Sequence, residues 1–265
     1  MNVTVDATVI SVRGLSNRFG AQVVHEGLDL DVRRGEVLAV IGGSGAGKSV
    51  LLRSIIGLQE PAAGTVHVLG TDLRSAESSV RASIERRWGV MFQDGALFSS
   101  LTVLENIKVP MIEQHKLPVD LMDELARLKI ALVGLPADAA YKLPSQLSGG
   151  MRKRAGIARA LALDPEILFL DEPTSGLDPL GAAGFDELIV TLKRSLDLTV
   201  FLVTHDLDSI FTCCDRVAVL VDRHVVAVDT PARISEHPHP WIQACFLGPR
   251  GRSAERALTL RTQEA

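Results

Sequence analysis

The sequence predicts an α/β fold, a parallel sheet covered by helices on both faces, and three observations predict it. Short continuous apolar runs, Val37-Leu38-Ala39-Val40-Ile41, Ile167-Leu168-Phe169-Leu170 and Val200-Phe201-Leu202-Val203, have the pattern of strands buried on both sides. Apolar residues recur at helical spacing between them, first as Leu121, Leu125, Leu128, Leu132 and Leu135, then as Phe185, Leu188, Ile189, Leu192 and Leu196. Nearer the start, Leu28-Asp29-Leu30-Asp31-Val32 alternates with period two, the mark of an antiparallel strand buried on one face, so a β-rich region is expected to run to about Leu69.

Between Trp88 and Leu163 no parallel strand is evident, and a mostly helical insert is expected over about 88–163, interrupted at Pro144 and at Ser148-Gly149-Gly150. One domain is therefore expected over residues 1–240. His237-Pro238-His239-Pro240 reads as a turn or linker, and residues 241–265 as a C-terminal extension of weak periodicity.

Bulk properties exclude several classes. The 265 residues suffice for one sizeable core, and 46% apolar with 23% charged residues is the balance of a globular protein. The longest uncharged stretches fall short of the ~20 apolar residues that span a bilayer, and the first residues lack the layout of a signal peptide, so a cytoplasmic location is expected. Cys213, Cys214 and Cys245 show neither a paired framework nor a metal-ligand spacing and read as reduced structural thiols. A net charge of -4 argues against a general nucleic-acid surface, and Arg33-Arg34, Arg86-Arg87 and Arg152-Lys153-Arg154 read as solvated local clusters.

Gly42-Gly43-Ser44-Gly45-Ala46-Gly47-Lys48-Ser49 fits GxxxxGK[ST] and stands where the mechanism needs it, after a buried strand and before a helical run through Leu51, Leu52, Ile55 and Ile56. Glycines let successive N–H groups turn inward round a phosphate, and a helix N-terminus adds positive potential. Lys48 supplies a full positive charge to the outer phosphates, and Ser49 is placed to ligate magnesium. The pattern therefore points to ATP and Mg2+.

Further along, the buried run Leu168-Phe169-Leu170 ends in Asp171-Glu172. Two carboxylates there are costly unless a cation offsets them. Asp171 is assigned to magnesium, and Glu172 to orienting and deprotonating the attacking water. General-base help of this kind is worth about 10² to 10⁴ in rate. Leu147-Ser148-Gly149-Gly150-Met151 precedes a helix through Ile157, Ala158 and Leu161, a second glycine-rich helix start able to meet an anion. One nucleotide hardly requires two such cradles.

That pentapeptide, followed by Arg154, Ala155, Ile157, Ala158, Arg159, Ala160 and Leu161 and then by Asp171-Glu172-Pro173-Thr174-Ser175-Gly176-Leu177-Asp178, closely resembles the signature region of ABC ATPases, and the likeness extends up to about Asp229. The resemblance implies a P-loop NTPase with a RecA-like parallel core, an N-terminal antiparallel β subdomain and an inserted helical subdomain. It implies a head-to-tail pair in which Ser148, Gly149, Gly150 and Met151 of one copy close over ATP held by Lys48 of the other, and a separate transmembrane permease subunit. It further implies that Phe19 stacks on adenine, Gln93 senses the γ-phosphate and magnesium, Asp178 lies at the dimer seam and His205 contacts the γ-phosphate. Taken singly, Phe19 also reads as a core aromatic, Gln93 as a surface amide, Asp178 as a helix cap before Pro179, and His205 as a polar strand end. Val50 departs from the threonine common in this superfamily and cannot offer a side-chain hydrogen bond to the α-phosphate.

Gln93-Asp94-Gly95-Ala96-Leu97-Phe98, the signature ending in Met151, and Arg152-Lys153-Arg154 are similar to the ATPases of MCE-type lipid transport systems, the Mla family. Such systems move phospholipid or related apolar molecules across the bacterial envelope. The resemblance implies attachment to the inner face of the inner membrane, an MCE-type substrate-binding protein, a small regulatory subunit and no nucleic acid. By the same analogy the C-terminal extension reaches the partner ATPase or the regulator, against the alternative of a frayed tail. Rival readings are the ATPase of an importer for a small polar solute, a non-transport ABC ATPase, and a module that binds ATP without hydrolysing it. Intact Glu172 and His205 argue against the last.

Overall fold

A computed structural model describes residues 8–93, 95–114 and 117–246. In chain order the elements are β1 (Thr8–Phe19), β2 (Gln22–Arg33), β3 (Val37–Gly42), α1 (Lys48–Ile55), β4 (Ala63–Val68), β5 (Thr71–Asp72), α2 (Ser78–Glu85) and β6 (Trp88–Met91). They continue with α3 (Val103–Gln114), α4 (Val119–Leu132), α5 (Gly149–Ala160), β7 (Ile167–Asp171), α6 (Pro179–Leu196) and β8 (Thr199–Val203). The last are α7 (Leu207–Cys213), β9 (Arg216–Val221), β10 (His224–Asp229), α8 (Pro231–Ser235) and α9 (Pro240–Phe246). They fall into two compact units, residues 8–81 with 199–246, and residues 82–198.

In the first unit β3 lies between β8 and β9, parallel to both, and β10 adds antiparallel to β9. Every residue of β3 and of β8 is buried, as the unbroken apolar runs require for strands covered on two faces. A second sheet in the order β2-β1-β4-β5 is antiparallel, and there Leu28, Leu30 and Val32 are buried while Asp29 is exposed. One face of the parallel strands is covered by α7, α8 and α9, whose Leu207, Ile210, Ile234, Ile242 and Phe246 pack with Ala39, Ile41, Val217 and Val219. Residues 241–246 of the expected extension thus carry core side chains, Ile242 and Phe246 among them. Residues 247–265, together with Asp94 and the first seven residues, lie outside the described residues. Cys213 donates to the Ser209 carbonyl at 3.1 Å inside α7, a structural thiol.

Two carboxylates secure the start of β3. Buried Glu36 accepts from Arg33 N at 2.7 Å and pairs with Arg216 at 3.2 Å, while Asp215 accepts from Val37 N at 2.6 Å. Burial raises the Glu36 carboxyl above its ordinary range, opposed by the Arg33 amide and the Arg216 guanidinium.

The second unit pairs β6 with β7 in parallel, Trp88 opposite Ile167 and Met91 opposite Leu170. Trp88–Met91 is a strand inside the stretch where sequence analysis sees none. It is four residues long and contains Gly89, so no apolar run announces it. Gly89 is where α5 crosses: a Cβ there would stand 2.0 Å from the Ala160 carbonyl oxygen. The edge of the Phe169 ring meets Trp88 at 6.1 Å between centroids.

Helices α3, α4 and α5 pack on one another. The helix expected around Leu121–Leu135 is present as α4, but its buried face is Met122, Ala126, Lys129 and Ile130, whereas Leu121 and Leu128 are exposed. Helix α6 buries Phe185, Leu188, Ile189 and Leu192, the expected stripe. Buried Asn106 fastens the preceding loop, donating to the carbonyls of Phe98, Leu101 and Thr102 at 2.9 to 3.1 Å and accepting from Phe98 N at 2.8 Å. Among the described residues no helix is long and apolar enough to cross a membrane.

Candidate functional site

In the first unit the fully buried β3 delivers the chain to Gly42, whose α-carbon lies so close to β9 that a Cβ would stand 2.3 Å from the Leu220 carbonyl oxygen. Gly43, Ser44, Gly45 and Ala46 form the loop, closed by Ala46 N donating to Gly43 O at 3.2 Å. Gly47, at φ 95°, turns the chain into α1, a conformation that disfavours a side chain. Among the described residues no side chain caps α1 at Gly47, and the N-terminus of the helix, with its positive potential, faces the loop. Lys48 Nζ folds back over the loop and donates to Gly42 O at 2.9 Å and Gly43 O at 3.2 Å, while Ser49 and Val50 are half-buried in the first turn. Loop, helix terminus and ammonium together suit a polyphosphate.

The loop rests on a buried polar chain that sequence analysis missed. His25, fully buried on β2, has Nδ1 at 3.0 Å from Asn17 Oδ1, and Asn17 Nδ2 donates to Ser54 Oγ on α1 at 3.1 Å. A Cβ on Gly47 would stand 2.6 Å from His25 Nε2 and 2.5 Å from Val24 Cγ1, so these two side chains fill the space where any other residue would need room. Among the described residues Nε2 has no hydrogen-bond partner of normal geometry, although the Gly47 main chain lies near enough to favour the charged ring. Burial dominates and pushes the imidazole down to about 4. The only sequence signal is a histidine within an apolar-alternating strand.

Phe19 ends β1 and is 46% exposed, which is not the environment of a core aromatic. His205 is exposed just after β8, beside Asp206, whose side chain caps α7 by accepting from Asp208 N at 3.0 Å. Beside the loop a cleft of about 350 Å³ is lined by Val23, Val24, Gly43–Ala46, Asp222, Arg223 and the half-buried Trp241 of α9. Trp241 carries no sequence motif, and only the packing of α9 brings it to the loop.

In the second unit β7 ends at Asp171, buried, and Glu172, which holds φ 49°, a left-handed conformation uncommon outside glycine. Gln93 follows β6 and is exposed. Lys153, buried on α5, joins the two segments: its Nζ donates to the Gln93 carbonyl and to the Glu172 carbonyl, the latter at 3.2 Å. The basic cluster expected to be solvated is therefore split. Arg152 is exposed, Lys153 is buried, and Arg154 donates to the carbonyls of Val133 at 2.7 Å and Gly184 at 3.1 Å.

Ser148 is the N-cap of α5, its Oγ accepting from Met151 N at 3.2 Å. Ser148 and Gly149 are exposed, Met151 is half-buried, and none of the described residues comes within 4 Å of where a Gly150 Cβ would be, so among them this second helix terminus is open. Asp178 caps α6 by accepting from Gly181 N at 2.8 Å, with Pro179 as the first helical residue.

Comparison with known proteins fits this geometry. The ABC transporter family profile matches residues 25–175. A probable ribonucleotide transport ATP-binding protein, Mkl, of Mycobacterium leprae is 38% identical over 260 residues, 97% of this chain and 75% of that one. The intermembrane phospholipid transport system ATP-binding protein MlaF of Haemophilus influenzae is 35% identical over 226 residues, 85% of each chain. A solved ATP-binding cassette, dimeric in a post-hydrolysis state with ADP and Pi, superposes with a TM-score of 0.76 at 28% identity, covering 84% of this chain and 98% of that one. A glycine loop with its lysine, a carboxylate-ended strand and an open Ser-Gly-Gly helix start, on a fold shared with such cassettes, place this chain in the ABC transporter family as an ATP-binding subunit that hydrolyses ATP.

Proposed function

We propose that the chain is the motor of a lipid transport system in the bacterial envelope, working as a pair on the inner face of the inner membrane beneath a separate permease. The observation that carries the paired reading is the second cradle. An open, uncrowded helix start at Ser148–Gly150 stands on the same chain as the complete loop at Gly42–Ser49, and a copy that offers it to its neighbour's triphosphate makes each nucleotide a bond between subunits. The reported dimer of a similar cassette supports this.

In this reading Gly42 to Ser49 and Val50 wrap the phosphates through the main chain, Lys48 meets the β- and γ-phosphates, and Phe19 stacks on adenine through its exposed ring. Ser148, Gly149, Gly150 and Met151 close from the partner copy, with Asp178 at the seam. Ser49, Gln93 and Asp171 would hold magnesium, which when bound neutralises charge on the outer phosphates. The donor set is suited to it, a hydroxyl, an amide and a buried carboxylate at a strand end. Glu172 orients the attacking water and accepts its proton, while His205 contacts the γ-phosphate.

Lipid as cargo is supported by the likeness to MlaF, and with it an MCE-type substrate-binding protein and a small regulatory subunit as partners. The name of the Mkl relative favours a second reading, a small polar solute. ATPase measurements on the reconstituted complex separate them. Stimulation several-fold by phospholipid in nanodiscs, and not by nucleosides or other polar solutes, is expected, and the opposite pattern would refute lipid as cargo.

A further inference from the structure

Helix α5 is fastened along its length to the segment that follows β6. Near its start Lys153 donates to the Gln93 carbonyl. One turn on, Gly156 lies so close that its Cβ would stand 3.0 Å from Gly95 Cα, and further on Arg159 donates to the Ala96 carbonyl at 2.6 Å and lies over the ring of Phe98. The same Lys153 Nζ reaches across to the Glu172 carbonyl at 3.2 Å. That carbonyl also accepts from Ser175 N at 3.2 Å, which closes the turn that holds Glu172 at its left-handed φ. Lys153 is buried, and its ammonium is a three-donor group with no acceptor, suited to gathering main-chain oxygens from several segments.

We propose that Lys153 is a positioning residue for hydrolysis: it ties the main chain at Gln93 and the main chain at Glu172 to the helix that begins with Ser148–Gly150, so that movement of the Gln93 segment or of that helix re-aims the Glu172 carboxylate. The inference rests on Glu172 being the general base. A left-handed non-glycine residue persists only where its surroundings over-determine it, and Lys153 is one of the groups that do so here. Its span makes the chemistry conditional on the position of two other elements, the arrangement expected where hydrolysis must wait for events elsewhere in an assembly.

The test uses the full chain, with steady-state ATPase kinetics and ATP affinity by calorimetry. Lys153→Met should leave Kd and KM for ATP within about twofold and lower kcat on the order of 30-fold or more, because a displacement near 1 Å of a catalytic group costs about 10² in rate. Lys153→Arg, which can still donate to both carbonyls, should recover most of that loss. In a Glu172→Gln background, Lys153→Met should change the residual turnover by less than about twofold, since a residue acting through Glu172 has nothing left to aim. Wild-type kcat in Lys153→Met, an equal fall in affinity, failure of Lys153→Arg to rescue, or additive losses in the double variant would each overturn the proposal. Should Lys153→Met fail to fold, Lys153→Gln is read against the same criteria. Near-wild-type turnover by Glu172→Gln itself would instead overturn the assignment of the base.

Discussion

Acid should loosen the first unit through His25, and the size of the effect can be worked out. The imidazole is pushed from an ordinary 6.5 to about 4 by burial, while its unfolded counterpart keeps the ordinary value. Between those two values the unfolded chain binds a proton that the folded chain refuses, so stability falls as the pH drops, with nothing lost well above 6.5 and the full penalty reached below 4. The complete penalty is about 3 kcal/mol, and about 2 kcal/mol of it is already felt at pH 5. Glu36 has the opposite sign. Its raised carboxyl contributes stability that is present at low pH and lost as the pH rises through its folded value. A comparison of wild type with His25→Gln cancels that contribution. Urea denaturation followed by far-UV circular dichroism between pH 7.5 and pH 4.5 should show the wild type losing about 2 kcal/mol more than the variant by pH 5. Parallel losses in the two proteins, or an NMR titration of the His25 ring centred near its ordinary value, would refute the account.

Glu172→Gln should bind ATP, accumulate as a dimer and all but stop turning over, which size-exclusion chromatography and phosphate release will show; normal release would remove Glu172 as the base. Lys48→Ala, which deletes the ammonium now folded over Gly42 and Gly43, should weaken ATP binding roughly 10- to 100-fold by calorimetry, the worth of a charge-assisted hydrogen bond. Gly89→Ala would drive a methyl group to 2.0 Å from the Ala160 carbonyl and force β6 from α5, so a loss of about 1–3 kcal/mol or more is expected in urea, and an unchanged midpoint would mean that this crossing is not as close as it stands here.

The buried strands at Val37, Ile167 and Val200, the glycine loop, the carboxylate pair and the second helix start could all be read from the chain itself, because each is set by neighbours within about ten residues. A short unbroken apolar run bounded by turn residues suits a strand covered twice, and glycines, lysine and serine at that spacing between a strand and a helix suit a phosphate. What failed was whatever depended on partners remote in the chain. Trp88–Met91 became a strand because β7 lies beside it, the face of α4 that is buried was chosen by its helical neighbours rather than by its leucines, and Lys153 looked like one member of a solvated cluster until two distant carbonyls came within its reach. His25 likewise looked like any strand residue. Composition and spacing thus determined which groups are candidates to meet a nucleotide, whereas the tertiary structure alone decided what holds those groups in place, since burial and hydrogen-bond partnership belong to pairs of segments and have no signature in either segment by itself.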